Sequence, residues 1–243
     1  MLPVIQLGPL SLQAPGLFLL LSLWIGITLA EKSAKKHKIS AETLSNLVLA
    51  ALVSGVVGGR IAYAARFSAA FASNPLNLFS LNLGLFDITG GIAAALIGAL
   101  IYGQRKEMSL WNTLDALVPF FGMLAIGIAT SNFASGNAFG METDLPWGIE
   151  LWGMKRHPTQ IYEMLAALVI LGLIWPPKQD AQSPAGFRFM LFVALSAGAR
   201  LFLEAFRGDS SLIFGGIRSA QIIALIILAA SLFLLDRKMG LKV

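Results

Sequence analysis

PGLFLLLSLWIGITLA, residues 15–30, carries no charge, and EKSAKKHK, residues 31–38, follows it at once. The apolar run is slightly shorter than the roughly 20 residues a helix needs to cross hydrocarbon. Entry of Leu10–Leu12 into the interface would complete the span. A secretory leader would place its basic residues before the apolar run rather than after it, so this order predicts a first transmembrane helix.

Six further runs follow the same rule. Thr43–Gly59 is uncharged, and its helix is expected to continue through Arg60 to about Ala65. Ile88–Gln104, Ala116–Met141, Gln160–Trp175, Phe189–Phe206 (broken by Arg200 and Glu204) and Ser219–Leu235 complete the set of seven. Only 13% of the 243 residues are charged and 56% are hydrophobic, whereas soluble domains carry about 25% charge. Too few charges remain to coat a soluble surface, which excludes a disordered chain and an ordinary cytosolic enzyme. The expected architecture is an all-α integral membrane protein, a single domain over residues 1–243. It is a bundle of about seven transmembrane helices with a small extracytoplasmic cap at residues 131–157.

The loops fix an orientation. Lys32, Lys35, Lys36 and Lys38 follow the first run, Arg105 and Lys106 the third. Lys178 and Arg188 lie between the fifth and sixth, and Arg237, Lys238 and Lys242 follow the seventh. Eleven of the 18 basic residues thus fall on one side of seven spans. Positive loops mark the cytoplasmic face, so the N-terminus is expected outside and the C-terminus in the cytoplasm. The net charge of +5 is spread over these loops rather than gathered in a patch, so no nucleic-acid partner is expected. With no cysteine and only His37 and His157, neither a disulfide nor a thiolate or histidine-rich metal site is expected, and no cofactor. Two outer segments exceed a tight turn: Phe67–Phe86, expected to lie along the membrane surface, and Ser131–His157, rich in Gly, Asn and Trp, expected to form the cap.

Ionisable residues inside apolar helices are costly and mark candidate sites. Arg60 and Tyr63 share a face near the outer end of the second helix. They suit an anion such as a lipid phosphate, or an arginine snorkelling to the interface. Arg200, Glu204 and Arg207, spaced by four and three, form one stripe on the sixth helix. Two arginines around a carboxylate can hold a phosphate, or can form an internal ion pair. His157 opens HPTQIYE, where Gln160 and Glu163 share a face at the start of the fifth helix and the helix dipole favours the carboxylate. Asp115 reads as structural, a dipole partner at the start of its own helix, and Asp87 has no assigned role.

SNFASGNAFG (131–140), PWGIE (146–150) and RHPTQIYE (156–163) together resemble the prolipoprotein diacylglyceryl transferase family. LGPLSLQAPG, GGRIAYA, SNPLNLF, ITGGIAAALIG and RLFLEAFR extend the likeness collinearly over nearly the whole chain. The resemblance implies an inner-membrane enzyme that moves a diacylglyceryl group from phosphatidylglycerol to the lipobox cysteine thiol of a preprolipoprotein, releasing glycerol phosphate. Its implied partners are phosphatidylglycerol, the preprolipoprotein signal peptide and the lipid bilayer. Carried over by motif, Arg200, Glu204 and His157 are the catalytic candidates. Arg60, Tyr63, Asn132, Gly140, Gln160, Tyr162, Glu163 and Arg207 are the substrate-binding candidates. Pro15, Thr89, Ala129 and Asn137 stand where the family usually has Tyr, His, Arg and Glu. Two other readings stay open: a member that binds lipid or lipoprotein without the transfer reaction, and a small transporter or lipid translocator.

Overall fold

A computed structural model describes residues 4–7, 10–73, 85–175, 183–213 and 215–239. The chain divides into two compact units, residues 34–113 and residues 1–33 with 114–243.

In the unit of residues 34–113, α2 (Ala41–Arg66) and α4 (Ile88–Arg105) pack along their lengths, with the short α3 (Ser68–Ser73) between them in sequence. Ser40 caps α2 by accepting the Thr43 N–H at 3.0 Å. The α2–α4 seam is made of small residues, as is usual where lipid removes the hydrophobic drive for helices to associate. A Cβ on Gly55 would lie 3.2 Å from the Gly91 carbonyl oxygen, and one on Gly98 would overlap the Ser54 side chain. Asp87, to which the sequence assigns no role, is the N-cap of α4. Its Oδ1 accepts the Gly90 N–H at 2.7 Å, and Oδ2 lies 3.6 Å from Arg66 Nη1. The surface-lying segment expected at Phe67–Phe86 is seen only as the turn at Phe67, α3 and residues 85–86; residues 74–84 lie outside the described residues.

The other unit opens with an antiparallel hairpin, β1 (Val4–Leu7) and β2 (Leu10–Gln13), leading directly into α1 (Ala14–Ala34). Leu10–Leu12 therefore belong to a strand and do not extend the first helix. α5 (Leu110–Ser135), α6 (Thr159–Ile174), α7 (Phe187–Leu203) and α8 (Ser219–Met239) follow. Buried Val118, Ile170 and Ile174 join α5 to α6, with Phe189, Phe192 and Leu195 of α7 packed against them. α5 starts and stops six residues before the run expected at 116–141. It ends where Gly136 turns to a left-handed φ of 78°, and Ser131–Ser135 are helical rather than part of the cap. The cap is residues 136–157, containing the hairpin β3 (Ile149–Leu151) and β4 (Met154–Arg156).

Asp115 is structural in a different way from that expected. Because α5 begins at Leu110, Asp115 lies beyond its own first turn, and its carboxylate instead takes the free N–H groups of another helix. It accepts from Gly186 N at 2.6 Å and Phe189 N at 2.8 Å, at the start of α7.

Among the described residues, five helical segments are long and apolar enough to cross a membrane: Ala14–His37, Ala41–Arg66, Leu110–Ser135, Phe187–Phe206 and Ser219–Arg237. α6 is equally apolar at 16 residues, and α4 is uncharged from Ile88 to Gln104. Their outward faces expose large apolar side chains such as Trp24, Val56, Leu173 and Ile226. Such surfaces require lipid around them. The protein is an all-α, multi-pass membrane protein.

Candidate functional site

α7 ends at Leu203 because the backbone tightens into a 3₁₀ turn over Glu204–Phe206, after which Arg207 is extended (ψ 137°). Arg200, Glu204 and Arg207 therefore do not lie on one helical stripe. The i,i+4 pair forms, with Arg200 Nη2 2.8 Å from Glu204 Oε2 in ion-pair contact. Arg207 instead directs its fork at Asp209, with both contacts at 2.8 Å.

Glu163, from the first turns of α6, joins the two arginines. Its Oε1 accepts from Arg200 Nη1 at 2.8 Å and Arg207 Nη1 at 2.9 Å. Ser210 Oγ donates to Glu204 Oε1 at 2.6 Å. Arg218, just before α8, donates through Nη1 to the Glu204 and Arg207 carbonyl oxygens and to Ser210 Oγ. Three cations and three anions thus form one network. Burial alone would lower the pKa of Arg207, but the Glu163 and Asp209 carboxylates outweigh it and raise it above its ordinary value. It stays a cation.

Exposure separates the members. The side chains of Glu204 and Arg207 are 2% and 12% exposed, whereas that of Arg200 is 39% exposed. Glu204 is buried, with Oε1 accepting from Ser210 and Oε2 in ion-pair contact with Arg200, and so can orient Arg200. Arg200 is held by two carboxylates and still presents surface, which is the arrangement needed to meet an incoming anion.

The cap is fastened to this network through the backbone. Met141 N donates to Phe206 O at 2.8 Å, Gly208 N to Phe139 O at 2.9 Å, and His157 N to Met141 O at 2.9 Å. Gly140 lies in the middle, where a Cβ would strike the His157 backbone, and one on Gly208 would lie 2.7 Å from Gly140 O. The role of Gly140 visible here is this close approach of three segments. His157 sits against Phe206 (5.2 Å between ring centroids), with Nδ1 3.4 Å from the Tyr162 hydroxyl, which in turn accepts from Trp147 Nε1 at 2.8 Å. Gln160 is fully buried, with Nε2 donating to Asn137 O at 2.7 Å and Oε1 without a partner among the described residues.

The structure therefore brings together Arg200, Glu204, Glu163 and Arg207, with His157, Tyr162, Gln160 and Gly140 in the adjoining cap. Asn132 is half-buried on α5 with no side-chain partner among the described residues. Arg60 and Tyr63 belong to the unit of residues 34–113. There Arg60 Nη1 is buried without a partner among the described residues, and Tyr63 packs on Phe67 at 4.7 Å. Ala129 lines a cavity beside Glu163 and Arg200, while Thr89 is exposed near the start of α4. Sequence reasoning missed Arg218, Asp209 and Ser210. Their signal was the polar GDSS following the sixth apolar run and the lone arginine just before the seventh.

The model of a family described as prolipoprotein diacylglyceryl transferase matches residues 3–236. Among similar proteins, the phosphatidylglycerol–prolipoprotein diacylglyceryl transferase of Synechococcus elongatus is 28% identical, covering 98% of this chain and 88% of its own length. Those of Finegoldia magna and Synechococcus sp. strain CC9902 are each 30% identical, covering 90% of this chain and 88% and 86% of their own lengths.

Proposed function

Because the chain belongs to the prolipoprotein diacylglyceryl transferase family, we propose that it transfers the diacylglyceryl group of phosphatidylglycerol to the lipobox cysteine thiol of preprolipoproteins. The sulfur forms a bond to the terminal glyceryl carbon as the bond from that carbon to the phosphate oxygen breaks. Glycerol phosphate leaves with the electron pair, and the thiol proton passes to a base.

The observation that carries this reading is Arg200, fixed at 2.8 Å by both Glu163 and Glu204 yet still open to a ligand. A cation held in place stabilises the charge that develops on the departing phosphate without reorganising during the reaction. Glu204 and Glu163 are its positioning residues, and Arg207 and Arg218 hold the turn that carries Glu204. His157 is the base: its ring is placed by Phe206 and by the Tyr162 hydroxyl, and an imidazole nitrogen can accept the thiol proton. Asn132 offers its amide to the lipid headgroup, and the buried Gln160 supports the site by holding the Asn137 carbonyl of the cap. In the unit of residues 34–113, Arg60 and Tyr63 on α2 offer an anion contact of their own. Gly140 keeps the cap close enough for His157 to serve. Eleven cytoplasmic basic residues support an inner-membrane orientation with the N-terminus outside.

Purified protein supplied with phosphatidylglycerol and a lipobox peptide is expected to yield a peptide carrying diacylglyceryl on its cysteine, read by mass spectrometry. Ala129 favours a second reading, since it brings no cation to the cavity beside Arg200. A member that binds phosphatidylglycerol but leaves the peptide unmodified would establish that alternative.

A further inference from the structure

Arg200 lies at one end of two separate apolar grooves. One, of about 360 Å³, runs between α7 and α8 along Val193, Ala197, Ala220, Ile223 and Ile227. The other, of about 230 Å³, runs among α5, α6 and α7 along Ala129, Ala166, Ile170, Ala199 and Leu203. Three residues line both: Phe192, Ser196 and Arg200. Their spacing explains why. At about 100° per residue these three stay within about 80° of one another on α7, with Val193 and Ala197 falling to one side and Ala199 to the other. They form a ridge with a groove on each flank.

The ridge is graded in chemistry. Arg200 stands toward the C-terminal end of α7, Ser196 about 6 Å from it along the helix axis and Phe192 about 6 Å further. The ridge is also low in its middle, because Ser196, Ala197 and Ala199 are all small. The Ser196 hydroxyl has no partner among the described residues. On α8, Ala220 lies toward the Arg200 end and Ile227 toward the Phe192 end, as antiparallel packing requires. Charge, then a single hydroxyl, then hydrocarbon on two flanks matches the order of parts in a two-chain phospholipid: phosphate, ester, acyl tails.

We propose that the diacyl lipid straddles α7, with its phosphate on Arg200, an ester oxygen accepting from Ser196, and one acyl chain in each groove. This rests on the transferase reading for the identity of the lipid but not for the division of its chains. A lipid held this way presents its terminal glyceryl carbon above the ridge, between the phosphate and the ester, where the acceptor sulfur must arrive. Because surrounding lipid is as apolar as the grooves, selection between chains comes from steric fit rather than from hydrophobic transfer. The two grooves therefore differ in which chain they measure.

The test fills one groove at a time, with Ala220→Phe for the α7–α8 groove and Ala166→Phe for the α5–α6–α7 groove. Ala220→Leu and Ala166→Leu are milder versions if the aromatic variants fold poorly. Each protein receives two positional isomers of phosphatidylglycerol, one with its short chain on the first glyceryl carbon and one with it on the second. The expected result is that the two fillings reverse the isomer preference, each by at least about tenfold in kcat/KM. Selection of the same isomer by both fillings overturns the proposal. So does a change in peptide KM without any isomer preference, or no change at all. The same variants are also purified from nanodiscs holding both isomers in equal amounts, and the retained lipid is identified by mass spectrometry. If wild type makes no thioether, the transferase reading fails while the isomer ratio on the purified variants still decides the division of the chains.

Discussion

The α2–α4 pair and the junction of α7 with the cap hold polypeptide together by opposite means. Along α2–α4, Gly55, Gly91 and Gly98 bring backbones into contact, and the residues meeting them are Ala and Ser. At the end of α7, three arginines and three carboxylates meet within a few residues of the hydrocarbon. Along its length the first arrangement joins helices through small residues, and its ion pair between Arg66 and Asp87 lies at the helix ends with the arginine exposed. Cohesion therefore does not require the second, whose charges are expensive at that depth. On the proposed function, the charges at the end of α7 serve chemistry, whereas small residues and the Asp115 carboxylate serve assembly.

The comparison breaks most visibly at Arg200. Arg200→Lys keeps a cation beside Glu204 but loses the fork that reaches both carboxylates. Transfer activity is expected to fall by about 10²-fold or more, while the melting temperature in detergent barely moves. A large loss of stability with little loss of activity would make the cluster a fastening like the other. The converse substitution is Gly98→Val, which drives a side chain into Ser54. It is expected to cost about 1–3 kcal/mol of stability, read by thermal unfolding, and to leave the specific activity of the folded fraction unchanged. A fallen specific activity would mean that the α2–α4 seam does more than assemble.

Asp115→Ala sharpens the contrast, because this buried carboxylate is charged yet purely structural. Leaving the Gly186 and Phe189 N–H groups unpaired is expected to cost about 1–3 kcal/mol, with the lipid KM unaltered. Smallest of all is Arg66→Ala. Its 3.6 Å pair with Asp87 is exposed on the arginine side and is expected to contribute less than about 1 kcal/mol, a difference that high salt should erase.

The span positions were legible because charge is so scarce that each break in an apolar run marks an end. The ends were less legible. α5 stops at Ser135 because Gly136 adopts a left-handed φ, and glycines occur throughout the preceding helices without doing so. The cap was legible from its Gly, Asn and Trp content, and Arg200 with Glu204 from spacing alone. Arg207 was misplaced on a helical stripe, since the helix ends where Gly208 meets Gly140, a contact between residues 68 positions apart. Arg218 escaped notice because an arginine beside an apolar run ordinarily reads as an interfacial anchor. No local pattern could reveal the partner of Asp115.

That partner has a consequence in time. Gly186 follows Asp115 by 71 residues, so at about 5–20 residues per second the carboxylate emerges about 4–14 s before the amides that engage it. During that interval α5 carries a carboxylate awaiting its partner, which arrives only with the synthesis of α7. The order of synthesis thus sets when this contact closes: Asp115 gains its partners only once the start of α7 has been made.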